Sequence, residues 1–176
     1  VNTAVPGSEP WLWTTTHLAN LYVVQNDAVT AEALYREVLR SRADYPFAQL
    51  GLARLAIARG DRATALHILK PLAARLPLPE ILVTLGELYE ANGDQRLAQE
   101  QYDLVRVIQQ LNAGAGMNVD LELATFEVKH GADPAMALKA AQAIAGYSLP
   151  VIMMIKESIN RAFESSLNEG LLFERR

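Results

Sequence analysis

The sequence predicts an all-α fold of stacked antiparallel helix pairs, and three observations carry that prediction. Three short polar turns, Asn26-Asp27, Gly60-Asp61 and Gly93-Asp94, recur with 34 and then 33 residues between successive aspartates. Each turn follows one apolar helical pattern (Leu18, Ala19, Tyr22; Leu52, Ala53, Ala56; Leu85, Gly86, Tyr89) and precedes another (Ala31, Tyr35; Ala65, Leu69; Ala98, Tyr102). Composition agrees, because 51% apolar and 20% charged residues describe a folded domain and exclude disordered or collagen-like chains.

In chain order, residues 1–10 form an N-terminal extension, with no basic flank or apolar run that would mark an export signal. A repeat array is expected over 11–136. In each pair a small residue on the first helix (Ala19, Ala53, Gly86) meets a small one on the second (Ala31, Ala65, Ala98), so the two helices approach closely. Larger residues there would overpack the contact, at a typical cost of about 1–3 kcal/mol. Tyr22, Tyr35, Tyr89 and Tyr102 are expected to fill the space between adjacent pairs, rings inside and hydroxyls at the edge. Leu18, Leu52 and Leu85 are expected to be shielded from water by the neighbouring pair. Pro71 falls where an unbroken helix needs an amide hydrogen, which predicts a bend near Leu69 to Leu72. The helix opening at Gln95 should run to about Leu111 before Gly114 and Gly116 stop it.

A fourth, divergent pair is expected, its first helix running from Met117 to His130 with Leu121, Leu123, Ala124 and Phe126 as the apolar set. A turn at Gly131 to Asp133 follows, then a helix capped by Asp133 and opened by Pro134. Residues 137–145 form another helix, and Gly146 to Leu149 break it. From Pro150 a long helix sets Ile152, Ile155, Ile159 and Phe163 on one side and Lys156, Glu157, Asn160, Arg161 and Glu164 on the other. Such an amphipathic helix needs a partner, and self-association through that apolar side is one expectation.

The third unit, with Leu85, Gly86, Tyr89, Gly93, Asp94, Ala98 and Tyr102 at their signature spacing, resembles the tetratricopeptide repeat, and Pro77 closes the second unit where that family places a proline. The resemblance implies a right-handed superhelix whose concave groove binds a peptide or protein partner. Carried onto this sequence, its groove positions are Trp13, Thr16, His17 and Asn20 in the first unit, Phe47, Leu50 and Arg54 in the second, and Glu80, Val83, Thr84 and Glu87 in the third. Family members that grip an acidic peptide C-terminus use several Lys, Arg and Asn side chains there. Here only Asn20 and Arg54 are of that kind, so an extended or helical segment anchored by Trp13, Phe47 and Leu50 fits better. Trp11 and Trp13 have burial at the N-terminal edge as their alternative reading.

From Ala137 to Arg176 the wording changes. The run Lys156-Glu157-Ser158-Ile159-Asn160-Arg161-Ala162-Phe163-Glu164, continued by Asn168-Glu169-Gly170-Leu171 after a Leu149-Pro150 break, resembles the C-terminal helices of short-chain enoyl-CoA hydratases, the crotonase family. The hydratase reaction needs upstream backbone amides to polarise a thioester carbonyl and two glutamates to handle water, and neither is recognisable in this sequence. Two signatures meeting near Pro134 to Leu138 imply an engineered helix-sharing fusion or natural acquisition of a fragment. The stop at Arg176 and the start at Val1 favour the first. The alternative is that 137–176 caps the array.

Other chemistry finds no support. Sixteen basic against twenty acidic residues give a net charge of −4, without the Lys/Arg run that grips nucleic acid. No stretch is apolar for long enough to span a bilayer. Zero cysteines remove disulfides, thiolate metal sites and thiol nucleophiles. The three histidines, His17, His67 and His130, fall in different units and cannot form a one-face metal pair. Gly114-Ala115-Gly116 follows a helix and precedes no Lys-Ser/Thr, so it reads as a helix stop rather than a phosphate loop. No catalytic residue, metal or cofactor is expected, and the cytoplasm is the expected compartment.

Overall fold

The computed structural model describes residues 5–116 and, beyond them, Phe126, Lys129, His130, Ala135, Leu138 and Gln142. Six helices occur among these residues: α1 (Glu9–Val24), α2 (Ala28–Ser41), α3 (Pro46–Ala58), α4 (Arg62–Arg75), α5 (Pro79–Ala91) and α6 (Gln95–Gly114). The described residues contain no strand. The fold is all-α. The fourth helix pair and the amphipathic face of Ile152, Ile155, Ile159 and Phe163 lie outside the described residues. Of that fourth pair, Phe126 is buried and its ring centroid lies 5.5 Å from that of His130. The chain divides into two units, Val1–Gln110 and Leu111–Arg176.

Local chemistry sets the helix ends. The first helix of each pair starts on a proline in its opening turn, Pro10, Pro46 or Pro79, where the missing amide is no loss and φ is already helical. The second helices α2 and α4 start on aspartate caps. Asp27 Oδ1 accepts from the Thr30 amide and Asp61 Oδ1 from the Thr64 amide, each at 3.0 Å. Each turn needs one left-handed residue. Gly60 and Gly93 supply it at φ 79° and 84°, and Asn26 supplies it in the first turn at φ 62°.

Packing follows the repeat. Within pairs α1 lies on α2 and α3 on α4, and between pairs α2 lies on α3 and α4 on α5. All six small positions, Ala19, Ala53, Gly86, Ala31, Ala65 and Ala98, are buried. Tyr35 and Tyr102 are buried as well, with the Tyr35 hydroxyl donating to Asn20 Oδ1 at 2.5 Å and that of Tyr102 to Glu90 Oε2 at 2.9 Å. Their sites differ. The Tyr35 ring lies over Gly51 in the next pair, whereas the Tyr102 ring lies over Gly86 of its own pair rather than between pairs.

Another expectation needs correction. Leu85 is buried and Leu52 half-buried, but Leu18 is 45% exposed. Shielding at this position comes from the second helix of the preceding pair, and among the described residues no helix precedes α1. Pro71 lies inside α4, which continues past it to Arg75. Proline leaves the His67 carbonyl without its usual donor four residues on. The long α6 matches expectation and ends among Gly114 to Gly116, where Gly116 is left-handed at φ 79°.

Candidate functional site

The first helices of successive pairs present their polar-aromatic faces to one cleft. In α1 the residues Trp13, Thr16, His17 and Asn20 are spaced i, i+3, i+4, i+7, which places them on one side of the helix. Phe47, Leu50, Gly51 and Arg54 repeat that spacing in α3. Together with Tyr45 and Glu80 these eight residues line a cleft of ≈ 310 Å³. Eight of the eleven groove positions carried over from the repeat family are therefore neighbours. Val83, Thr84 and Glu87 lie farther along α5 and do not line this cleft.

The side chains divide into a floor and a rim. Leu50 and Thr16 are buried and form the floor with Gly51, so Leu50 is a packing residue and offers a partner almost no surface. Thr16 Oγ1 donates to the Leu12 carbonyl at 2.8 Å, which uses its hydroxyl inside the helix. The rim is aromatic. Trp13 is 54% and Phe47 39% exposed. The Trp13 ring sits 4.0 Å from His17, centroid to centroid, and Phe47 meets Tyr45 edge-on at 5.8 Å. Trp11 instead packs against the core, so the two tryptophans have different roles.

Polar groups close one end. Thr84 Oγ1 donates to the Glu80 carbonyl at 2.7 Å and accepts from Arg54 Nη2 at 3.4 Å. That contact links α3 to α5. Asn20 is held by the Tyr35 hydroxyl. Burial pushes the Tyr35 phenol above its ordinary value while the Arg54 charge pulls it back, so Tyr35 remains a neutral donor to Asn20. Sequence reasoning missed Tyr45 and Gly51 as lining residues. Gly51 had a readable signal, because a glycine four residues after Phe47 lies on the same helix face and implies that something large comes close. A second cleft of ≈ 370 Å³ lies between α2, α3 and α4, lined mainly by Leu39, Leu52, Ile68, Pro71 and Leu72 with Arg75 at its edge. Among the described residues no group of three His, Asp or Glu side chains is placed to hold a metal ion.

This arrangement of paired helices, aspartate-capped turns and a shared first-helix face has a match among known families. Residues 23–81 match the tetratricopeptide repeat. The match spans α2, α3 and α4 and covers about a third of the chain. A second likeness is to enoyl-CoA hydratases. A probable enoyl-CoA hydratase of Rhizobium meliloti is 36% identical over 108 residues, covering 58% of this chain and 40% of that protein. Probable enoyl-CoA hydratases of Mycobacterium bovis and Mycobacterium tuberculosis are 35% identical over the same length and shares. The chain thus spans about 40% of the length of the curated relatives it matches. A match covering 58% of the chain is longer than the segment from Ala137 to Arg176, and wherever it falls it includes residues of α5 and α6. No helix among the described residues is long and apolar enough to cross a membrane.

Proposed function

We propose that the α1–α6 array is a non-catalytic scaffold that binds a segment of a peptide or protein partner in the cleft between α1, α3 and α5. The observation behind this reading is a pair of exposed aromatic rings, Trp13 and Phe47, flanking a cleft whose floor is already packed. Rigid aromatic side chains with a free face are the groups that dominate protein interfaces. The floor has no spare volume to recruit, so an incoming side chain is held between the rims. Arg54, Glu80 and Glu87 supply charges of both signs at the α5 end, which suits an apolar residue flanked by polar ones better than an acidic C-terminus.

The test uses a random peptide library selected on the full chain. Enriched peptides are expected to share an apolar anchor, and Trp13→Ala with Phe47→Ala should weaken their binding about 100-fold, roughly tenfold for each anchor. Unchanged affinity in that double variant would reject the cleft. Leu50→Ala is a poor probe because the residue is buried and its truncation acts on stability. The hydratase likeness is read as shared ancestry of part of the chain without the reaction, and the purified chain is expected to hydrate a crotonyl thioester no faster than buffer. The meeting of the repeat and hydratase-like segments within one chain is read as a fusion.

A further inference from the structure

The cleft lined from α1, α3 and α5 offers a ligand more hydrogen-bond donors than acceptors. Asn20 Oδ1 is taken by the Tyr35 hydroxyl at 2.5 Å, which leaves the Asn20 Nδ2 with two hydrogens and, among the described residues, no acceptor. Arg54 reaches Thr84 Oγ1 through Nη2 at 3.4 Å, a long bond that spends one of the five guanidinium donors. The exposed Trp13 indole adds another on the aromatic side. Acceptors are scarcer. Thr16 is buried, and the carbonyls within α1 and α3 are used by their own helices. Glu80 and a ring nitrogen of His17 are what remains.

Charge narrows the choice further. Arg54 and Glu80 line the same cleft, so a ligand with a full charge of either sign meets a like charge there, whereas neutral carbonyl dipoles match the donors without that cost. Backbone conformation then decides among neutral peptides. An extended β segment brings one amide hydrogen for every carbonyl, and the cleft has few acceptors to receive them. A helical segment brings almost no free carbonyls, since its own turns use them. A polyproline II segment has no internal hydrogen bonds, so its carbonyls stay free, and each proline carries no amide hydrogen. Its flat rings also suit an aromatic-lined groove, here Trp13 and Phe47.

We infer that the occupant of this cleft is a proline-rich partner segment in the polyproline II conformation, its rings against Trp13 and Phe47 and its carbonyls accepting from Asn20 and Arg54. The inference rests on the peptide-binding reading of the cleft and names the class of segment. Calorimetric titration of the full chain with N-acetylated decaproline, as the free acid and as the C-terminal amide, tests it. Both forms are expected to bind equally and with little salt dependence, because the recognised part is neutral. Alternating Thr-Val and Ala-Leu peptides of the same length should bind about tenfold more weakly. Asn20→Asp keeps the acceptor for Tyr35 and removes the donors, and with Arg54→Met it should weaken decaproline about tenfold while the helical signal stays intact. Decaproline that fails to bind, while proline-free library peptides bind through Trp13 and Phe47, overturns the proline class and leaves the groove reading standing. Binding of the free acid alone, or affinity unchanged in the Asn20→Asp, Arg54→Met variant, overturns it as well. If neither decaproline nor any selected peptide depends on Trp13 and Phe47, the groove reading falls and the inference with it.

Discussion

Close packing at single residues explains why this sequence tolerates glycine inside two helices. A Cβ placed on Gly51 or Gly86 would fall within 3.0 Å of the Tyr35 or Tyr102 ring, so each tyrosine occupies the volume that the glycine leaves empty. Gly51→Ala therefore combines two opposing effects, about 1 kcal/mol gained in helix propensity and about 1–3 kcal/mol lost to overpacking. A net loss of up to about 2 kcal/mol is expected by chemical denaturation. In a Tyr35→Leu background the same substitution should become neutral or stabilising, and a double-mutant cycle measures the difference. Neither tyrosine-glycine match was legible in the sequence, since the repeat spacing set Gly86 against Ala98 and Tyr102 between pairs, and the contact at 51 joins two pairs, where neither residue's surroundings can be read from local periodicity.

Titration belongs to the same scale. Burial first, then the hydrogen bond to Glu90, pushes the Tyr102 phenol far above the ordinary tyrosine range, and burial raises Tyr35 too. A raised folded-state value contributes stability that is complete below the ordinary phenol range and is lost as pH climbs through the higher folded values. Asp27 and Asp61 run the other way. Hydrogen bonds from Thr30 and Thr64 lower both carboxyls, so their contribution is present above the ordinary carboxylate range and fades as pH falls through the lowered values. The denaturation midpoint should accordingly form a plateau with an alkaline and an acid shoulder. Tyr102→Phe should flatten the first. Asp27→Asn, which keeps a capping oxygen without a titrating group, should flatten part of the second. Shoulders unchanged in these variants would assign them to other groups.

At the scale of elements, helix α4 is the test of what the sequence can and cannot convey. Its start was readable from Asp61 and its face from Ala65 and Leu69, both fully buried. Pro71 reads as a bend within the helix, and the helix runs on past it to Arg75, because a proline in an exposed position can be carried by the packing of its neighbours Leu69 and Leu72. The cost of the missing amide remains, however. Pro71→Ala restores a donor to the His67 carbonyl and should raise stability by about 1–3 kcal/mol. A fall in stability instead would mean that α2 and α3 pack against a helix shaped by the proline. Leu69→Ala, on the buried side of the same turn, should cost about 2–5 kcal/mol. The exposure of Leu18 was hidden from sequence reasoning for a related reason, since periodicity identifies a face that can be buried but not which copy of it lacks a neighbour.

At the scale of the whole array, stability is shared between neighbours rather than held in one centre, because among the described residues the main helix contacts run within a pair or to the pair beside it. α3 is covered by α2 on one side and supports α4 on the other, whereas α1 rests on α2 and touches α3 only lightly. The cleft rim follows this division, with Trp13 on the end helix and Phe47 on the interior one. Most of the candidate site was legible because the family's groove positions are fixed in register, while the burial of Leu50 and the contribution of Tyr45 depend on depth, which register does not encode. Amide hydrogen exchange should therefore show the slowest amides in α3 and α5 and faster exchange in α1, with local opening of α1 preceding global unfolding. Occupying the cleft with a selected peptide should slow α1 toward the rate of α3, since the ligand would bridge Trp13 and Phe47.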